Sequence, residues 1–291
     1  MKILNFGSLN LDYVYSVDHM VTGGETLCSD DLNLFCGGKG LNQSIALARA
    51  GAKVFHAGLI GSEGSVLTDA LCSSGVDCRY VREVPGRSGH TIIQVDKSGQ
   101  NCILLYGGAN RAVTREFVDQ VLADFGAGDL LLLQNEVNLL DYIIDEAYGR
   151  GMEIALNPSP FDGNLDACDM GKVRVFLLNE VEGFQMTGET EPALILDRLA
   201  ELYPQAEVVL TLGGDGCVYR RGAKGVRQEA FPARAVDTTA AGDTFTGYFL
   251  AARAEGLAAE DCLRLASKAA AIAVTRQGAA PSIPLRGEVV L

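Results

Sequence analysis

The sequence predicts an α/β protein in which a doubly wound, mainly parallel β-sheet is flanked by helices and a small second β-sheet projects from it. Two observations support this prediction: apolar runs alternate with amphipathic stretches from residue 110 onward, and a hairpin signal interrupts the first third of the chain. In such folds, ligands bind outside the carboxyl ends of the strands.

The main body begins with a strand, a helix and a strand. Lys2 to Phe6 is an apolar run that ends at Gly7-Ser8, which predicts a buried strand closed by a tight turn. Leu41 to Ala50 predicts a helix, and Lys53 to Ile60 predicts the next strand.

The projecting sheet is predicted from residues 12–36 and 88–106. In the second segment, apolar runs at 91–96 and 102–106 flank Lys97-Ser98-Gly99-Gln100, a pattern typical of a β-hairpin. We expect the two segments to form a lid outside the main body.

The rest of the chain alternates helix and strand. Helices are predicted near residues 114–124, 138–150, 191–203, 242–256 and 260–277. Strands are predicted at 130–133, 154–156, 173–178 and 208–211. Because no repeat or linker divides the sequence, we expect residues 1–291 to form a single domain.

Charge and composition exclude several classes of function. The formal net charge is −13, which opposes binding to nucleic acid or an anionic membrane. No apolar segment approaches ~18 residues, and no signal peptide precedes the first strand, so a cytoplasmic protein is expected. The eight cysteines have neither CxxC nor zinc-ligand spacing, which predicts reduced thiols in the core.

The segment Asp237-Thr238-Thr239-Ala240-Ala241-Gly242-Asp243 has the pattern of an anion-binding turn. Small residues before a helix leave backbone N–H groups free to bind phosphate, and the helix dipole favours negative charge there. Asp243 would lie beside a transferring phosphoryl group and could accept the proton of an attacking hydroxyl. The alternative is a first-turn aspartate that only complements the dipole.

A second glycine-rich segment, Gly37-Gly38-Lys39-Gly40-Leu41-Asn42-Gln43, also opens a helix. It lacks the GxxxxGK[ST] spacing of a Walker loop, so a P-loop is rejected. Its glycines permit close approach to a polyhydroxylated ligand, with Lys39 and Asn42 as hydrogen-bond donors. A plain glycine turn is the alternative.

These two segments resemble the signature regions of the ribokinase (PfkB-type) carbohydrate kinase family, and the resemblance spans nearly the whole chain. Further matching segments occur in the family's order: 7–12, 157–160, 179–182, 211–216 and 278–284. Asn10 with Asp12, the 37–43 segment and the closing Ala273 to Gly278 segment are most similar to ribokinase itself. The resemblance implies a ribokinase-like fold with a lid.

The resemblance also implies the roles of individual residues. Asp243 matches the catalytic base, and Ala240, Ala241 and Gly242 match the anion hole. The sugar hydroxyls would be held by Asn10, Asp12, Gly38, Lys39, Asn42, Glu136 and Asp243. The nucleotide would be bound by Asn179, Thr211, Gly213, Gly214, Gly216, Gly242 and Ser267.

Two metal sites are implied in the same way. Asn179 and Glu182 match an Asn-x-x-Glu that holds Mg²⁺ through waters, which this ion often retains. An activating K⁺ would be bound by Asp237, Thr239, Ala273, Arg276, Gly278 and Ser282. From the residues alone, Asn179 with Glu182 is an ordinary helix start, Gly213-Gly214 a plain turn, and Asp12 a turn or cap residue.

The implied activity is ATP-dependent phosphorylation of the primary hydroxyl of a furanose, with D-ribose expected, by a homodimer joined through the lid. Alternatives within the family are kinases for another small sugar, deoxyribose or a nucleoside. A non-catalytic sugar-binding regulatory module would lack Asp243 or Glu182, and both are present. An NAD-dependent Rossmann enzyme requires GxGxxG after the first strand, which Gly7-Ser8-Leu9-Asn10 does not supply.

Overall fold

Thirteen strands and eight α-helices make up the chain in a computed structural model that describes residues 1–291. The strands are β1 (Ile3–Phe6), β2 (Asn10–Ser16), β3 (Asp31–Gly37), β4 (Val54–Ile60), β5 (Asp77–Glu83), β6 (Gly89–Val95), β7 (Asn101–Tyr106), β8 (Leu130–Gln134), β9 (Glu153–Asn157), β10 (Val175–Asn179), β11 (Glu207–Thr211), β12 (Cys217–Arg221) and β13 (Lys224–Gln228). The helices are α1 (Lys39–Arg49), α2 (Ser65–Ser73), α3 (Arg115–Leu122), α4 (Leu140–Gly149), α5 (Glu180–Thr187), α6 (Pro192–Leu202), α7 (Ala241–Ala254) and α8 (Ala259–Ala273).

Nine strands form the main sheet in the order β13-β12-β11-β10-β9-β8-β1-β4-β5. All neighbours are parallel except at one edge, where β12 pairs antiparallel with β11 and β13. Strand β1 pairs with β4 on one side and with β8 on the other, so the chain first adds strands beyond β4 and later adds strands beyond β8. The sheet therefore reverses its winding at β1, and a ligand site is expected at the carboxyl end of the strands there.

Apolar side chains alternate between the two faces of the main sheet. In β8, Leu130 and Leu132 pack into one buried core, while Leu131 and Leu133 pack into the other. The first core includes residues of α1, α2, α7 and α8, and the second includes residues of α3, α4 and α6. Burial on both faces explains why the parallel strands are almost continuously apolar.

The lid is a separate four-stranded sheet in the order β3-β2-β6-β7. Its strands arise from the two segments predicted for it, and β6 and β7 form the predicted hairpin. Several large apolar side chains remain exposed on this sheet, namely Leu32, Leu34, Ile92, Ile103, Leu104 and Leu105. No second layer of this chain covers them, so the lid presents an apolar surface.

Helices α1 and α7 lie in close contact at Gly247. A Cβ at this position would overlap the Cβ of Ala46 and lie 2.7 Å from the backbone nitrogen of Leu47. Only glycine permits this approach of the two helices. The contact joins the helix that begins at Lys39 to the helix that begins at Ala241.

The cysteine prediction was wrong in part. Cys72, at the end of α2, lies beside Cys78 in β5, with their Cα atoms 6.1 Å apart, because the intervening turn brings the two elements together. Cys28 and Cys102 are exposed, since they lie in the lid region where no core forms. Of the free thiols, only Cys217 and Cys262 are fully buried, as the prediction required.

No helix in the molecule combines the length and the apolar character that spanning a lipid bilayer requires.

Candidate active site

A cavity of about 240 Å³ opens at the carboxyl edge of the main sheet. Its walls come from the ends of β9, β10 and β11, from Lys39 at the start of α1, and from the first turn of α7. The lining residues are Lys39, Asn157, Leu177, Leu178, Asn179, Glu182, Thr211, Thr238, Ala240, Ala241, Gly242, Asp243, Phe245 and Thr246. The cavity thus brings together residues from segments more than 200 positions apart, as the fold predicts.

The turn before α7 has the geometry of an anion site. Ala240 adopts the left-handed conformation, with φ of 60° and ψ of 13°, and caps the helix without a side-chain hydrogen bond. The first intrahelical bond is donated by Thr244 to Ala240, so the N–H groups of Gly242 and Asp243 have no partner within the helix. The N–H of Ala241 donates to the carbonyl of Thr238 at 3.2 Å. The amides of Gly242, which is part of the predicted anion hole, and of Asp243 therefore remain free of helical bonding.

Both carboxylate oxygens of Asp243 accept hydrogen bonds from α1. Nδ2 of Asn42 donates to Oδ2 at 3.0 Å, and Nε2 of Gln43 donates to Oδ1 at 2.9 Å. Asp243 is only 8% exposed. The carboxylate is thus held in one orientation at the wall of the cavity, between the glycine-rich segment and the anion turn.

Glu136 and Lys39 lie together beside this carboxylate. Oε2 of Glu136 accepts from the backbone N–H of Lys39 at 3.0 Å and from the hydroxyl of Ser8. Burial raises the pKa of Glu136, and the positive charge of Lys39 opposes that rise. Burial opposes the charge of Lys39, but the carboxylates of Asp243, Glu136 and Glu182 outweigh it and raise the pKa of Lys39. The ammonium group is therefore charged and surrounded by acidic groups.

Asn10 and Asp12 lie where the lid joins the main body. Oδ1 of Asn10 accepts from Nδ2 of Asn110 at 2.7 Å. Oδ1 of Asp12 accepts from the hydroxyl of Thr91 at 2.6 Å, and burial raises the pKa of Asp12 despite this bond. Asp12 is thus a lid-strand residue bonded across the sheet, and the alternative of a turn or cap residue was wrong.

The glycine at position 38 has a conformational reason. It caps α1 with φ of 92°, a region that favours glycine. A Cβ there would lie 3.1 Å from Oγ of Ser8 and 3.2 Å from the backbone nitrogen of Asn10. Gly38 therefore brings the start of α1 against the residues that follow β1.

Asn179 and Glu182 form a capping box at the start of α5. The side chain of Asn179 accepts from the N–H of Glu182 at 2.9 Å, and Oε2 of Glu182 accepts from the N–H of Asn179 at 3.0 Å. The reading as a helix start is therefore correct. Both residues also line the cavity, and a carboxylate there retains acceptor capacity for a hydrated cation.

The residues predicted to bind nucleotide do not all reach the cavity. Thr211 lines it, and Gly213 and Gly214 form a 3₁₀ turn after β11 with open space beside them. Gly216 has φ of 90°, and a Cβ there would lie 2.8 Å from the backbone nitrogen of Ala230. Ser267 is buried in α8, with its hydroxyl 3.5 Å from the sulfur of Cys217, and is not part of the cavity wall.

The segments predicted to bind K⁺ lie next to each other. Oδ1 of Asp237 accepts from the N–H of Thr239, and Oδ2 accepts from the N–H of Gly278, each at 2.9 Å. Burial opposes the charge of Asp237, but these hydrogen bonds outweigh it and lower the pKa of Asp237. The guanidinium of Arg276 pairs with Glu288 at 2.6 Å, so only the backbone carbonyl of Arg276 could serve a cation.

The remaining predicted K⁺ ligands lie in the same region. The carbonyl of Ala273 accepts from the N–H of Arg276 at 3.0 Å, and the hydroxyl of Ser282 donates to the carbonyl of Ala279 at 2.7 Å. A carbonyl oxygen has a second lone pair, so Ala273 could still bind a cation. The donor set of oxygens fits a hard monovalent ion.

Sequence reasoning missed several polar side chains of the site. Gln43 and Asn157 lie in segments that resemble the family. Gln43 donates a hydrogen bond to Asp243, and Asn157 lines the cavity and accepts from Gln43. Asn110 contacts Asn10 across 100 positions, and Thr91 contacts Asp12 across 79 positions. No local pattern indicates these last two residues, because only the folded lid brings them to the site.

The comparisons with known proteins agree with this geometry. The family model described as "pfkB family carbohydrate kinase" matches residues 1–286. The chain is similar to a ribokinase of Haemophilus influenzae, with 35% identity over 98% of this chain and 95% of the relative. It is also similar to a deoxyribokinase of Salmonella typhi, with 32% identity over 98% of this chain and 96% of the relative.

A solved structure has the same fold. The structure of Arabidopsis thaliana ribokinase complexed with ribose and ATP has a TM-score of 0.87 and 30% identity, and the match covers 99% of this chain and 96% of that chain. Sequence, fold and the arrangement of the cavity thus lead to one conclusion: the chain belongs to the pfkB family of carbohydrate kinases.

Proposed function

We propose that this chain transfers the γ-phosphoryl group of ATP to the primary hydroxyl of D-ribose, which yields ribose 5-phosphate and ADP. One observation carries the proposal: the buried carboxylate of Asp243 lies at a helix N-terminus whose amides can bind a phosphoryl group. The similarity to ribokinases over nearly the whole chain supports ribose as the acceptor. Residues 1–291 act as one kinase domain.

The sugar is held between the lid and α1 by Asn10, Asp12, Gly38, Lys39, Asn42 and Glu136. Their clustering at this junction supports the assignment. Oδ1 of Asn42 is buried without a hydrogen-bond partner, so it is an acceptor available to a sugar hydroxyl. The charged ammonium of Lys39 supplies donors.

The reaction is an in-line displacement. The sugar hydroxyl gives its proton to Asp243, its oxygen forms a bond to the γ-phosphorus, and the bond from that phosphorus to the bridging oxygen breaks to release ADP. Charge on the transferring group is stabilised by the turn at Ala240, Ala241 and Gly242 and by the helix dipole. Lid closure excludes water and suppresses ATP hydrolysis.

ATP is bound by Asn179, Thr211, Gly213, Gly214, Gly216 and Gly242, with Ser267 beside the base. The position of Thr211 in the cavity wall and the open space beside Gly213 and Gly214 support this part of the proposal. The burial of Ser267 away from the cavity makes it the weakest member of the set.

Two cations fit the donor groups present. Asn179 and Glu182 would hold Mg²⁺ through waters, where the ion neutralises phosphate charge when bound. Asp237, Thr239, Ala273, Arg276, Gly278 and Ser282 would hold K⁺ close to the anion turn. The hydrogen bonds of Asp237 already order these two segments, which suits an activating rather than a catalytic role for the ion.

The apolar surface of the lid supports a homodimer formed through that sheet. Sedimentation velocity tests this arrangement, with a dimer expected for the native chain and a monomer for Leu104→Glu, since Leu104 is 67% exposed. A native chain that sediments as a monomer contradicts it. The acidic composition and the family suit a cytoplasmic enzyme.

A substrate panel tests the function directly. ADP release should be measured with ribose, 2-deoxyribose, other pentoses, fructose and nucleosides, each with and without K⁺, at saturating Mg-ATP. Ribose should give the highest kcat/KM, and the product should carry phosphate on its terminal carbon. A preference for a nucleoside, or no turnover with any sugar, contradicts the proposal.

Deoxyribose is the second candidate, because the chain is 32% identical to a deoxyribokinase over 98% of its length. A higher kcat/KM with 2-deoxyribose than with ribose would favour it. A non-catalytic sugar-binding module is the candidate from another class, and ribose binding without any ADP release would favour that reading.

A further inference from the structure

A continuous row of hydrogen-bonded, buried side chains leads away from Asp243 into the main body. It consists of Gln43, Gln134, Asn5, Ser44 and His56, each of them no more than 1% exposed. None of the five was predicted to contact sugar, nucleotide or metal. Buried polar groups are costly unless they are paired, so a row of them beside a reacting carboxylate requires a physical reason.

The hydrogen bonds among these buried side chains have directions that the available donors and acceptors determine. The carboxylate of Asp243 can only accept, so Gln43 must present its Nε2, which donates to Oδ1 at 2.9 Å. Nε2 of Gln43 also donates to Oδ1 of Asn157 at 3.2 Å. Both N–H groups of Gln43 are then used, and its Oε1 can only receive a donor from elsewhere.

Gln134 supplies that donor. Its Nε2 donates to Oε1 of Gln43 at 2.6 Å and to Oδ1 of Asn5 at 3.1 Å. Its own Oε1 is buried without a partner. A flipped amide would place that oxygen against two other amide oxygens, so the neighbours fix the orientation although one acceptor remains unpaired.

Asn5 anchors the far end. Its Nδ2 donates to the carbonyl of Gly40 and to Oγ of Ser44, each at 2.8 Å. A backbone carbonyl can only accept, so Asn5 cannot flip. The hydroxyl of Ser44 and Nδ1 of His56 share a hydrogen bond of 2.8 Å, whose direction depends on the tautomer of His56. The direction of every bond between Ser44 and Asp243 is thereby determined.

We propose that Gln43 and Gln134 are positioning residues that hold Oδ1 of Asp243, so that Oδ2, beside Asn42, is the oxygen that takes the proton of the sugar hydroxyl. Asn42 can exchange its bond to Oδ2 for one to the sugar. Gln43 is fully buried with both N–H groups bonded, so it keeps its bond to Oδ1. The inference rests on the proposed role of Asp243 as the base.

The test compares Gln43→Met and Gln134→Met, which remove the amide and keep the length of the side chain. Gln43→Met should lower kcat by roughly 10- to 100-fold, the effect of one hydrogen bond to a charged group. Gln134→Met, which does not touch Asp243, should lower kcat by roughly 10-fold because Gln43 loses its orienting donor. The KM for ribose should change less than about threefold in both, since the sugar contacts remain.

The double variant separates positioning from general loosening. If Gln134 acts only through Gln43, the double variant should be no slower than Gln43→Met alone. Asn135→Leu is the matched control, because Asn135 is equally buried but its amide donates to Pro160 and Asp162, away from the cavity. It should lower the melting temperature and leave kcat unchanged.

Several outcomes would overturn the inference. These are a wild-type kcat in Gln43→Met or Gln134→Met, a rise in KM with unchanged kcat, or fully multiplicative losses in the double variant. If Gln134→Met does not fold, Gln134→Asn takes its place in the test, because it withdraws the same amide by one methylene. If Asp243→Asn itself turns over normally, the proposed base is wrong; if it is inactive while both glutamine variants are normal, only the positioning role is wrong.

Discussion

Asn42 and Asp243 are joined by a hydrogen bond of 3.0 Å although 201 positions separate them in the chain. The bond connects the glycine-rich segment, proposed to hold the sugar, to the turn proposed to hold the phosphoryl group. Asp243 is therefore placed where the two substrates would meet, and its carboxylate is the group on which the proposed chemistry depends most.

Replacing Asp243 by asparagine should remove the base and keep the shape of the site. We expect kcat to fall by at least ~10²–10⁴-fold, the usual contribution of general-base catalysis. Coupled measurement of ADP release gives the rate, and thermal unfolding tests whether the fold is retained. Asp166→Asn, at an exposed position, is the control and should be fully active. Near-normal turnover by Asp243→Asn would contradict the assignment.

The folded protein should be more stable with glycine in place of Ala240. It has φ of 60°, a conformation that costs an L-residue about 1–2 kcal/mol and glycine almost nothing. Glycine also loses more chain entropy, about 0.5–1 kcal/mol, so Ala240→Gly should raise the free energy of unfolding by up to about 1.5 kcal/mol. Ala240→Val should lower it, because a β-branched residue is disfavoured at positive φ. Urea unfolding measures both, and a loss of stability in Ala240→Gly would contradict the strain.

His56 should make the protein sensitive to acid. Complete burial lowers the pKa of His56 from 6.5 to about 3, although the carbonyl of Gly7 opposes this shift. Between these values only the unfolded state binds the proton, so stability falls as the pH drops below 6.5. The loss at pH 5 should be about 2 kcal/mol relative to pH 8.

Urea unfolding across pH 5 to 8 measures this loss. His56→Asn should be less stable at neutral pH, since it loses packing, but its stability should vary less with pH. The exposed His19 is the comparison: its hydrogen bond to Glu25 at 2.8 Å raises the pKa of His19, so His19→Asn should not reduce the loss of stability at acid pH. An equally steep pH dependence in His56→Asn would show that other groups cause the acid sensitivity.

The pair of Arg253 and Glu207 should contribute strongly to stability. The guanidinium donates two bonds of 3.0 Å to the carboxylate, and the side chains are 16% and 6% exposed. Burial opposes the charge of Glu207, but Arg253 outweighs it and lowers the pKa of Glu207. Arg253→Met should cost about 3 kcal/mol, because the buried charge of Glu207 then keeps only the longer contacts to Arg221 at 3.7 Å and to Arg174 at 3.9 Å.

Two further variants test that explanation by chemical denaturation. Adding Glu207→Gln to Arg253→Met should recover part of the loss, since the poorly paired buried charge is then removed. Arg198→Met is the matched control: Arg198 pairs with Glu201 at 3.0 Å with both side chains at least half exposed, and its loss should cost less than ~1 kcal/mol. Equal losses at the two sites would contradict the importance of burial.

Local sequence patterns were sufficient to predict most of the strands and helices of the fold. The runs that became β1, β8 and β11 are apolar on both faces of the sheet, and turn signals bound them. The elements that were not predicted have weaker patterns. Helix α2 has only two buried residues, Leu67 and Leu71, and β13 is an edge strand with no fully buried residue.

The site was predictable only where its residues lie close together in sequence. The turn at 237–243 and the segment at 37–43 carry their own signals, since glycines and small residues precede a helix in each. Gln134 and Asn110 carry none, because their roles depend on partners about 90 to 100 positions away. Long-range polar contacts of this kind are decided by the fold and not by local spacing.

The glycine contact between α1 and α7 has an evolutionary consequence. Because the backbones of the two helices touch at Gly247, the parts that carry Lys39 and Asp243 form a fixed chemical unit. Asn10 and Asp12 belong instead to a lid strand, outside that unit. With the proposed roles of these residues, acceptor preference can diverge through substitutions in the lid strands while the proposed apparatus for phosphoryl transfer is inherited unchanged.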